Sequence, residues 1–176
     1  MASRKPAATG AAARTALSLD LQLKSRAAHV PARRQFAAWI AKALLGRAGG
    51  PVEITLRVVG PTEMRALNRE YRGKDYATNV LSFPFEAPAG VTLPVRVLGD
   101  IVLCAATVQR EAREQGKSVE AHWAHLTVHG VLHLLGLDHH TPRHATVMEG
   151  AEIAVLALLG YGNPYLLPAP SPQSPE

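Results

Sequence analysis

The residues with the clearest chemical potential are three histidines between positions 129 and 139. His129 and His133 are four residues apart, so on a helix their side chains differ by only about 40° around the axis and can share one metal ion. Gly136 suits the left-handed residue that ends a helix and turns the chain back, and His139 follows three residues later. The spacing therefore predicts a site in which three imidazole nitrogens hold one metal ion.

The pattern H-x-x-x-H-x-x-G-x-x-H is that of metzincin zinc sites, which leave at least one coordination position open for water. An open position indicates catalysis rather than structural binding. In metzincins the first histidine is followed by a glutamate, the general base of peptide hydrolysis, whereas this chain has Gly130 there. The pattern therefore disfavours a protease.

Other interpretations of these and neighbouring residues remain open. The histidines could be core residues with ordinary hydrogen bonds, although three at this spacing with a glycine in register make that the weaker interpretation. His140 is an alternative third ligand, and three imidazoles accept nickel or copper as readily as zinc. Asp138 is either an acceptor that orients a ligand imidazole or a turn residue. His122 and His125 share the face of the helix, and we expect both to pack in the interior.

The sequence around these histidines predicts one α+β domain that positions them. It contains a small mixed sheet of about four strands, packed with about five helices. Alternating apolar residues indicate strands, and apolar stripes at helical spacing indicate helices. A bulge is expected at Gly99 and Asp100. The expected strands cover 17–23, 52–58, 79–85 and 95–104. The first expected helix begins at Pro31 and stops at the glycines at 49 and 50, and the others cover 62–71, 105–115, 118–135 and 145–159. Thr62 is the expected N-cap of the second helix.

The composition describes a folded chain with an uneven charge. Of its 176 residues, 47% are hydrophobic and 19% are charged, which excludes disorder for most of the length. The formal net charge is +5, but residues 1–50 hold nine basic residues against one acid, and the remainder holds ten basic and 13 acidic residues. The charge alone therefore does not assign a nucleic-acid partner to the histidine site. We expect a disordered basic tail at 1–15, one metal-dependent hydrolase domain at 16–167 and a disordered Pro/Ser tail at 168–176.

The cellular compartment follows from two simple features. The single cysteine, Cys104, excludes an internal disulfide and favours a reducing compartment. No apolar run approaches the roughly 18 to 20 residues that a membrane span requires. We expect a cytoplasmic protein.

Together with the histidine motif, several segments resemble the YbeY family of bacterial endoribonucleases, also described as rRNA maturation factors. The resemblance runs in order from about Leu17 to Tyr165 and leaves only the two tails uncovered. It is carried by YRGKD at 71–75, TNVLSFPFE at 78–86, LGDI at 98–101, AHWAH at 121–125, the motif at 129–139, LGY at 159–161 and NPY at 163–165.

This resemblance implies a zinc-dependent endoribonuclease specific for single-stranded RNA, involved in 16S rRNA 3′-end maturation and ribosome quality control. It places the zinc ligands at His129, His133 and His139 and a functionally important arginine at Arg72. The implied partners are rRNA or other single-stranded RNA and the ribosome or its proteins, with no DNA or membrane partner. Where the family often has several acids after the motif, this chain departs with TPRHAT at 141–146.

Phosphodiester hydrolysis fits these residue types. Three neutral imidazoles leave a zinc ion its full charge, which lowers the pKa of bound water to about 7 and polarises a phosphoryl oxygen. Arg72 is the candidate second cation because a guanidinium can bind two phosphate oxygens; without the resemblance, we would expect an ion pair with Asp75 or Glu70. The proton acceptor stays open among a hydroxide at the metal, the RNA 2′-hydroxyl and Asp138.

Residues on the third strand and the last helix have weaker assignments. Asn79 and Ser82 are candidate substrate contacts, with hydrogen bonding in the strand as the simpler account. Phe83 and Phe85 are candidates for base stacking, with core packing as the simpler account of both. Glu149 and Glu152 are expected on the solvated face of a helix.

Two other functions remain open. One is a ribosome-assembly or RNA-binding factor whose metal is mainly structural, an alternative supported by the missing general base. The other, less favoured, is a metalloprotease-like hydrolase.

Overall fold

Alternating apolar side chains and breaks at glycine and proline organise residues 16–166, which the computed structural model describes, into four strands and five helices. The predicted α+β domain with a small mixed sheet is therefore confirmed. The expected tails, 1–15 and 168–176, and position 167 lie outside the described residues. The strands are β1 (Leu17–Leu23), β2 (Val52–Val59), β3 (Val80–Pro84) and β4 (Arg96–Cys104); the helices are α1 (Arg33–Leu44), α2 (Pro61–Arg72), α3 (Ala105–Glu114), α4 (Val119–Leu134) and α5 (Pro142–Leu158).

The four strands form one sheet in the order β1-β2-β4-β3. Strands β1, β2 and β4 run parallel, because a helix connects β1 to β2 and the chain from β2 to β4 also crosses over, whereas β3 pairs antiparallel with β4. Leu21 pairs with Leu56, which pairs in turn with Ile101 on β4. Strand β3 is thus left at an edge of the sheet.

The bulge predicted near Gly99 is confirmed. The register between β2 and β4 shifts so that Glu53 pairs with Val97 but Ile54 pairs with Gly99. Gly99 has a φ of 130°, and a Cβ there would lie 2.1 Å from the carbonyl oxygen of Phe83 on β3. Only glycine therefore permits the close approach of β3 to β4 at this point.

The sheet has a large core on one face and a small one on the other. Alternate residues of β2 and β4, such as Leu56 and Ile101, are fully buried beneath α1 and α4. On the opposite face, Val102 packs with Leu81 of β3 and Met64 of α2. Helix α4 is buried along most of its length, which makes it a rigid support for side chains at its C-terminal end. Among residues 16–166, no helix has the length and apolar character needed to cross a membrane.

Two helix starts differ from the prediction. Helix α2 begins at Pro61 with Gly60 as N-cap, so Thr62 is not the cap. Helix α5 begins at Pro142, three residues before the predicted start, because the Thr141 hydroxyl accepts the His144 N–H at 3.2 Å and proline is favoured in the first turn. His144, which precedes the predicted helix over 145–159, therefore lies in the first turn of α5, where it is exposed.

Candidate metal centre

Helix α4 and the turn that follows it bring three histidines together. One ligand nitrogen from each of His129, His133 and His139 lies within 4.8 Å of those of the other two. The Nε2 atoms of His129 and His133 are 3.0 Å apart, and the His139 ring centroid lies 5.6 and 5.0 Å from theirs. This group could hold a metal ion, and it contains His139 rather than the alternative, His140.

The turn between the second and third histidines has the predicted geometry. Gly136 adopts a left-handed φ of 91°. The Leu137 N–H donates to the Leu132 carbonyl at 3.0 Å, and the Gly136 N–H donates to the His133 carbonyl at 2.9 Å. These bonds satisfy carbonyls at the end of α4 and reverse the chain, which places His139 beside the helix that carries the other two histidines.

The protonation states of the donors fit a metal site. Burial, with His129 and His139 close by, lowers the pKa of His133 to about 4, so His133 is a neutral imidazole at pH 7. Nδ1 of His129 lies 2.6 Å from Oε1 of Glu152. A carboxylate only accepts hydrogen bonds, so Nδ1 of His129 is the donor in this contact, and in the neutral ring this leaves the lone pair on Nε2, which faces His133. The Nε2 atoms of His129 and His133, 3.0 Å apart, are close enough to bind the same cation.

The expectation that Glu152 lies on a solvated face is wrong. Its side chain is 0% exposed, and its carboxylate also accepts hydrogen bonds from the Tyr165 hydroxyl and from His125 Nε2, the latter at 3.3 Å. Burial by itself would raise the pKa of Glu152, but the hydrogen bonds from His125, His129 and Tyr165 outweigh it and hold the pKa at about 2. Glu152 is therefore a buried carboxylate that stays ionised and contacts a candidate ligand.

The sequence did contain a signal for the burial of Glu152. Met148, Val155 and Leu156, which are buried on α5, lie four residues before it and three and four residues after it. These spacings place Glu152 on the same helix stripe as the apolar residues. Glu149, one position after Met148, is exposed as expected.

His122 and His125 take part in interior hydrogen bonds, as the packing interpretation predicts. His122 Nε2 lies 2.8 Å from Glu111 Oε2, and the Asn79 side-chain amide donates to the same carboxylate at 3.0 Å. The Asn79 side-chain oxygen accepts the Val80 N–H at 2.7 Å. Both ends of the Asn79 amide are thus used within the fold, which favours its structural role over substrate contact.

A cleft of about 530 Å³ opens beside the three histidines. The edge strand β3 forms one wall of this cleft. The ring of Tyr71, near the end of α2, packs edge-on against the ring of Phe83, with the two ring centroids 4.9 Å apart. The Tyr71 side chain is exposed. The lining residues are Tyr71 and Arg72, residues 79–84, and His129, His133, His139 and His140.

Arg72 is free of the ion pair that local sequence would suggest. Asp75 instead binds Arg65 through two hydrogen bonds of 2.8 and 2.7 Å, with Arg69 3.9 Å away. Within residues 16–166, Arg72 forms no ion pair with Asp75 or Glu70. Its exposed side chain is therefore available in the cleft that the histidines line.

Asp138 has the contacts of a turn residue. Its Oδ1 accepts the backbone N–H of His140 at 3.1 Å and lies 2.9 Å from Nδ1 of His144. The hydrogen bonds of this carboxylate thus lead to the loop and to α5 rather than to the three candidate ligands. A role as proton acceptor remains a prediction.

The absence of the metzincin glutamate has a packing reason. Gly130 is buried where α4 crosses β4, and a Cβ there would lie 2.9 Å from Cγ2 of Ile101. A residue with a Cβ at this position, glutamate included, would require the Ile101 side chain, the helix or the strand to shift.

Comparisons with known proteins show which family and which fold this chain resembles. A profile of the family described as Endoribonuclease YbeY matches residues 21–160. A protein named Endoribonuclease YbeY from Alkalilimnicola ehrlichii (strain ATCC BAA-1101 / DSM 17681 / MLHE-1) is 52% identical over 161 residues, covering 89% of this chain and 97% of that protein. The solution structure of TM1509 from Thermotoga maritima has a TM-score of 0.53 at 22% identity, covering 90% of this chain and all of that one, and shows similarity of fold alone.

Proposed function

The chain belongs to the YbeY family of endoribonucleases, which are hydrolases that act on RNA, and on that premise we propose that it cleaves single-stranded RNA with one zinc ion held by His129, His133 and His139. The observation that carries this proposal is the convergence of three imidazole nitrogens within 4.8 Å on a cleft that also contains an unpaired arginine. Arg72 is that arginine.

The chain's own residues divide the chemistry between them. A zinc ion at this centre would supply a Lewis acid that activates water and polarises a phosphoryl oxygen. Glu152 holds the proton of His129 on Nδ1 and so keeps Nε2 free as a ligand. Burial keeps His133 neutral. Arg72 is placed to bind the scissile phosphate, because its guanidinium carries a permanent charge and can donate two hydrogen bonds to phosphate oxygens.

The shape of the cleft supports a single-stranded substrate. The cleft lies between the end of α2 and the edge strand β3, and its mouth holds the exposed ring of Tyr71. Unpaired bases can stack on an exposed aromatic ring, whereas bases inside a duplex cannot. Ser82 lines the same wall and remains a candidate substrate contact.

We further propose that the RNA substrate is the 3′ end of 16S rRNA, with a role in ribosome quality control. The ribosome or its proteins would be partners, in the cytoplasm, and neither DNA nor a membrane would be. The family resemblance supports these finer assignments. We also propose that residues 1–15 lie outside the hydrolase domain, so their deletion should leave metal content unchanged.

A ribosome-assembly factor with a mainly structural metal is the second candidate function. The observation that favours it is Gly130, which removes the general base found in metzincin hydrolases. This alternative predicts metal binding that depends on the histidines together with RNA binding, but no cleavage that depends on Arg72.

The test combines metal analysis with RNA cleavage by the purified full chain. Mass spectrometry should find about one zinc ion per chain, and the zinc should be absent from His133→Ala. After metal loading, Arg72→Ala should lower kcat/KM on a single-stranded oligonucleotide by about 10- to 150-fold, the equivalent of one charge-assisted hydrogen bond. Arg72→Glu should abolish cleavage.

Arg69→Ala is the matched control, since Arg69 is an exposed arginine on the same helix that does not line the cleft. It should cleave at close to the wild-type rate. If wild type, Arg72→Glu and His133→Ala show the same trace activity, the endonuclease proposal fails at this site. If mass spectrometry instead finds one nickel or copper ion per chain, the proposed metal is wrong but the proposed three-histidine site stands.

A further inference from the structure

A buried carboxylate connects the metal centre to the C-terminal end of the fold. Glu152 accepts hydrogen bonds from His129 on one side and from the Tyr165 hydroxyl on the other. Tyr165 belongs to the Asn163-Pro164-Tyr165 segment that follows α5. We propose that Glu152 and Tyr165 are positioning residues, which together fix the ring and the tautomer of His129 for metal binding.

The position of the Glu152 carboxylate next to His129 determines which nitrogen of that ring carries the proton. An imidazole can carry its single proton on either nitrogen, and only the Nδ1–H form leaves Nε2 free to bind a cation. The 2.6 Å distance from His129 Nδ1 to Glu152 Oε1 selects that form. Because Glu152 extends from α5, the packing of α5 on α4 sets the orientation of the ligand ring.

The C-terminal segment fixes Glu152 from the other side. The side-chain oxygen of Asn163 accepts the Tyr165 N–H at 2.9 Å, and the carbonyl of the buried Pro164 accepts a hydrogen bond from Lys117, which lies just before α4. The Tyr165 ring also lies edge-on to His125, with centroids 5.6 Å apart. These contacts anchor the segment so that the Tyr165 hydroxyl reaches the carboxylate.

The charge of Glu152 points to the same role. Within residues 16–166, no lysine or arginine forms an ion pair with this fully buried carboxylate, and two histidine rings, His125 and His129, contact it. A buried charge without a cation is unfavourable. A divalent cation on the far side of the His129 ring would supply the missing positive charge, so the carboxylate should strengthen metal binding. This consequence rests on the proposed zinc site.

The test uses the full chain with three variants. Glu152→Leu removes the hydrogen-bond acceptor while keeping a side chain of similar size. Tyr165→Phe removes only the hydroxyl of a residue that is 45% exposed. Glu149→Leu is the matched control, because Glu149 is an exposed acid on the same helix. Circular dichroism of each metal-free variant checks that the fold is retained.

Two measurements separate positioning from mere stability. Nitrogen-15 NMR of the metal-free wild type should show His129 as the Nδ1–H tautomer, and Glu152→Leu should shift it toward Nε2–H. Competition with a chromophoric chelator should show zinc affinity lowered by about 10- to 100-fold in Glu152→Leu, the range typical for partners of metal-binding histidines. Tyr165→Phe should fall between Glu152→Leu and the control, which should match wild type.

The inference and the proposed function fail in different ways. An Nε2–H tautomer in the wild type, or wild-type zinc affinity in Glu152→Leu, would overturn the positioning role while leaving the metal site intact. A wild type that binds no zinc, yet loses the Nδ1–H tautomer in Glu152→Leu, would refute the metal site and support the positioning role. Equal losses in Glu149→Leu and Glu152→Leu would also overturn the inference.

Discussion

Substituting alanine for Gly130 tests the packing that excludes a metzincin glutamate from α4, the helix that carries His129 and His133. The added Cβ would lie 2.9, 3.1 and 3.3 Å from Cγ2, Cδ1 and Cγ1 of Ile101, all closer than ordinary van der Waals contact. Ile101 is fully buried in the middle of β4, so its side chain cannot turn out into solvent. The helix must therefore move away from the sheet, or the core must be strained.

The size of the effect follows from two opposing contributions. Overpacking a core costs about 1–3 kcal/mol. Alanine is favoured over glycine inside a helix by about 1 kcal/mol. Gly150→Ala measures this gain alone, because Gly150 is exposed on α5 and a Cβ added there would meet no atom within 4 Å apart from its own helix backbone. Gly130→Ala should thus be less stable than Gly150→Ala by about 1–3 kcal/mol.

Urea unfolding of the metal-free protein, followed by circular dichroism, measures both variants against wild type. In a double-mutant cycle, Ile101→Ala should cost about 2–5 kcal/mol by itself, and in that background Gly130→Ala should become stabilising. The movement of α4 should also displace His129 and His133, so Gly130→Ala should bind zinc more weakly. Equal stabilisation by Gly130→Ala and Gly150→Ala in the wild-type background would refute this account of the missing glutamate.

Three further predictions concern the surroundings of the site. Gly99→Ala should lower the free energy of unfolding by about 2–6 kcal/mol, because it combines backbone strain with a clash against the Phe83 carbonyl, whereas Gly49→Ala, with nothing within 4 Å, should change it by less than about 0.5 kcal/mol. Burial alone would raise the pKa of Glu111, but hydrogen bonds lower it below its ordinary value of 4.5; its stabilising effect is thus present above that pH and lost as the pH falls below it. Urea unfolding from pH 7 to 3 should therefore show a flatter acid dependence for Glu111→Gln, and an unchanged slope would contradict this. Zinc at 100 times its Kd should raise the free energy of unfolding by about 2.7 kcal/mol in wild type, and calorimetry should find no such rise in His129→Ala.

Local spacing made the metal centre predictable. His129 and His133 share a face because the helix repeats every 3.6 residues, and Gly136 reverses the chain because glycine tolerates a positive φ. These are properties of consecutive residues, so sequence alone was enough to bring His139 into the same group. The start of α5 was missed although its cause is also local, since Thr141 and Pro142 are a strong N-terminal signal.

The environment of the centre depended on residues far apart in the chain. Glu152 is 23 positions from His129, and its contact with that ring exists only because α5 packs against α4. Arg72 does not pair with Asp75 because Asp75 binds Arg65 instead.

The sequence by itself determined the histidine triad, the α+β class and the family, because each depends on the types and spacing of neighbouring residues. Only the tertiary structure decided which carboxylate contacts the triad, which arginine lines the cleft without pairing to Asp75 or Glu70, and which side chain lies against position 130. Those outcomes depend on packing and on competition among charged groups for partners, and the closest partner in space is often distant in sequence.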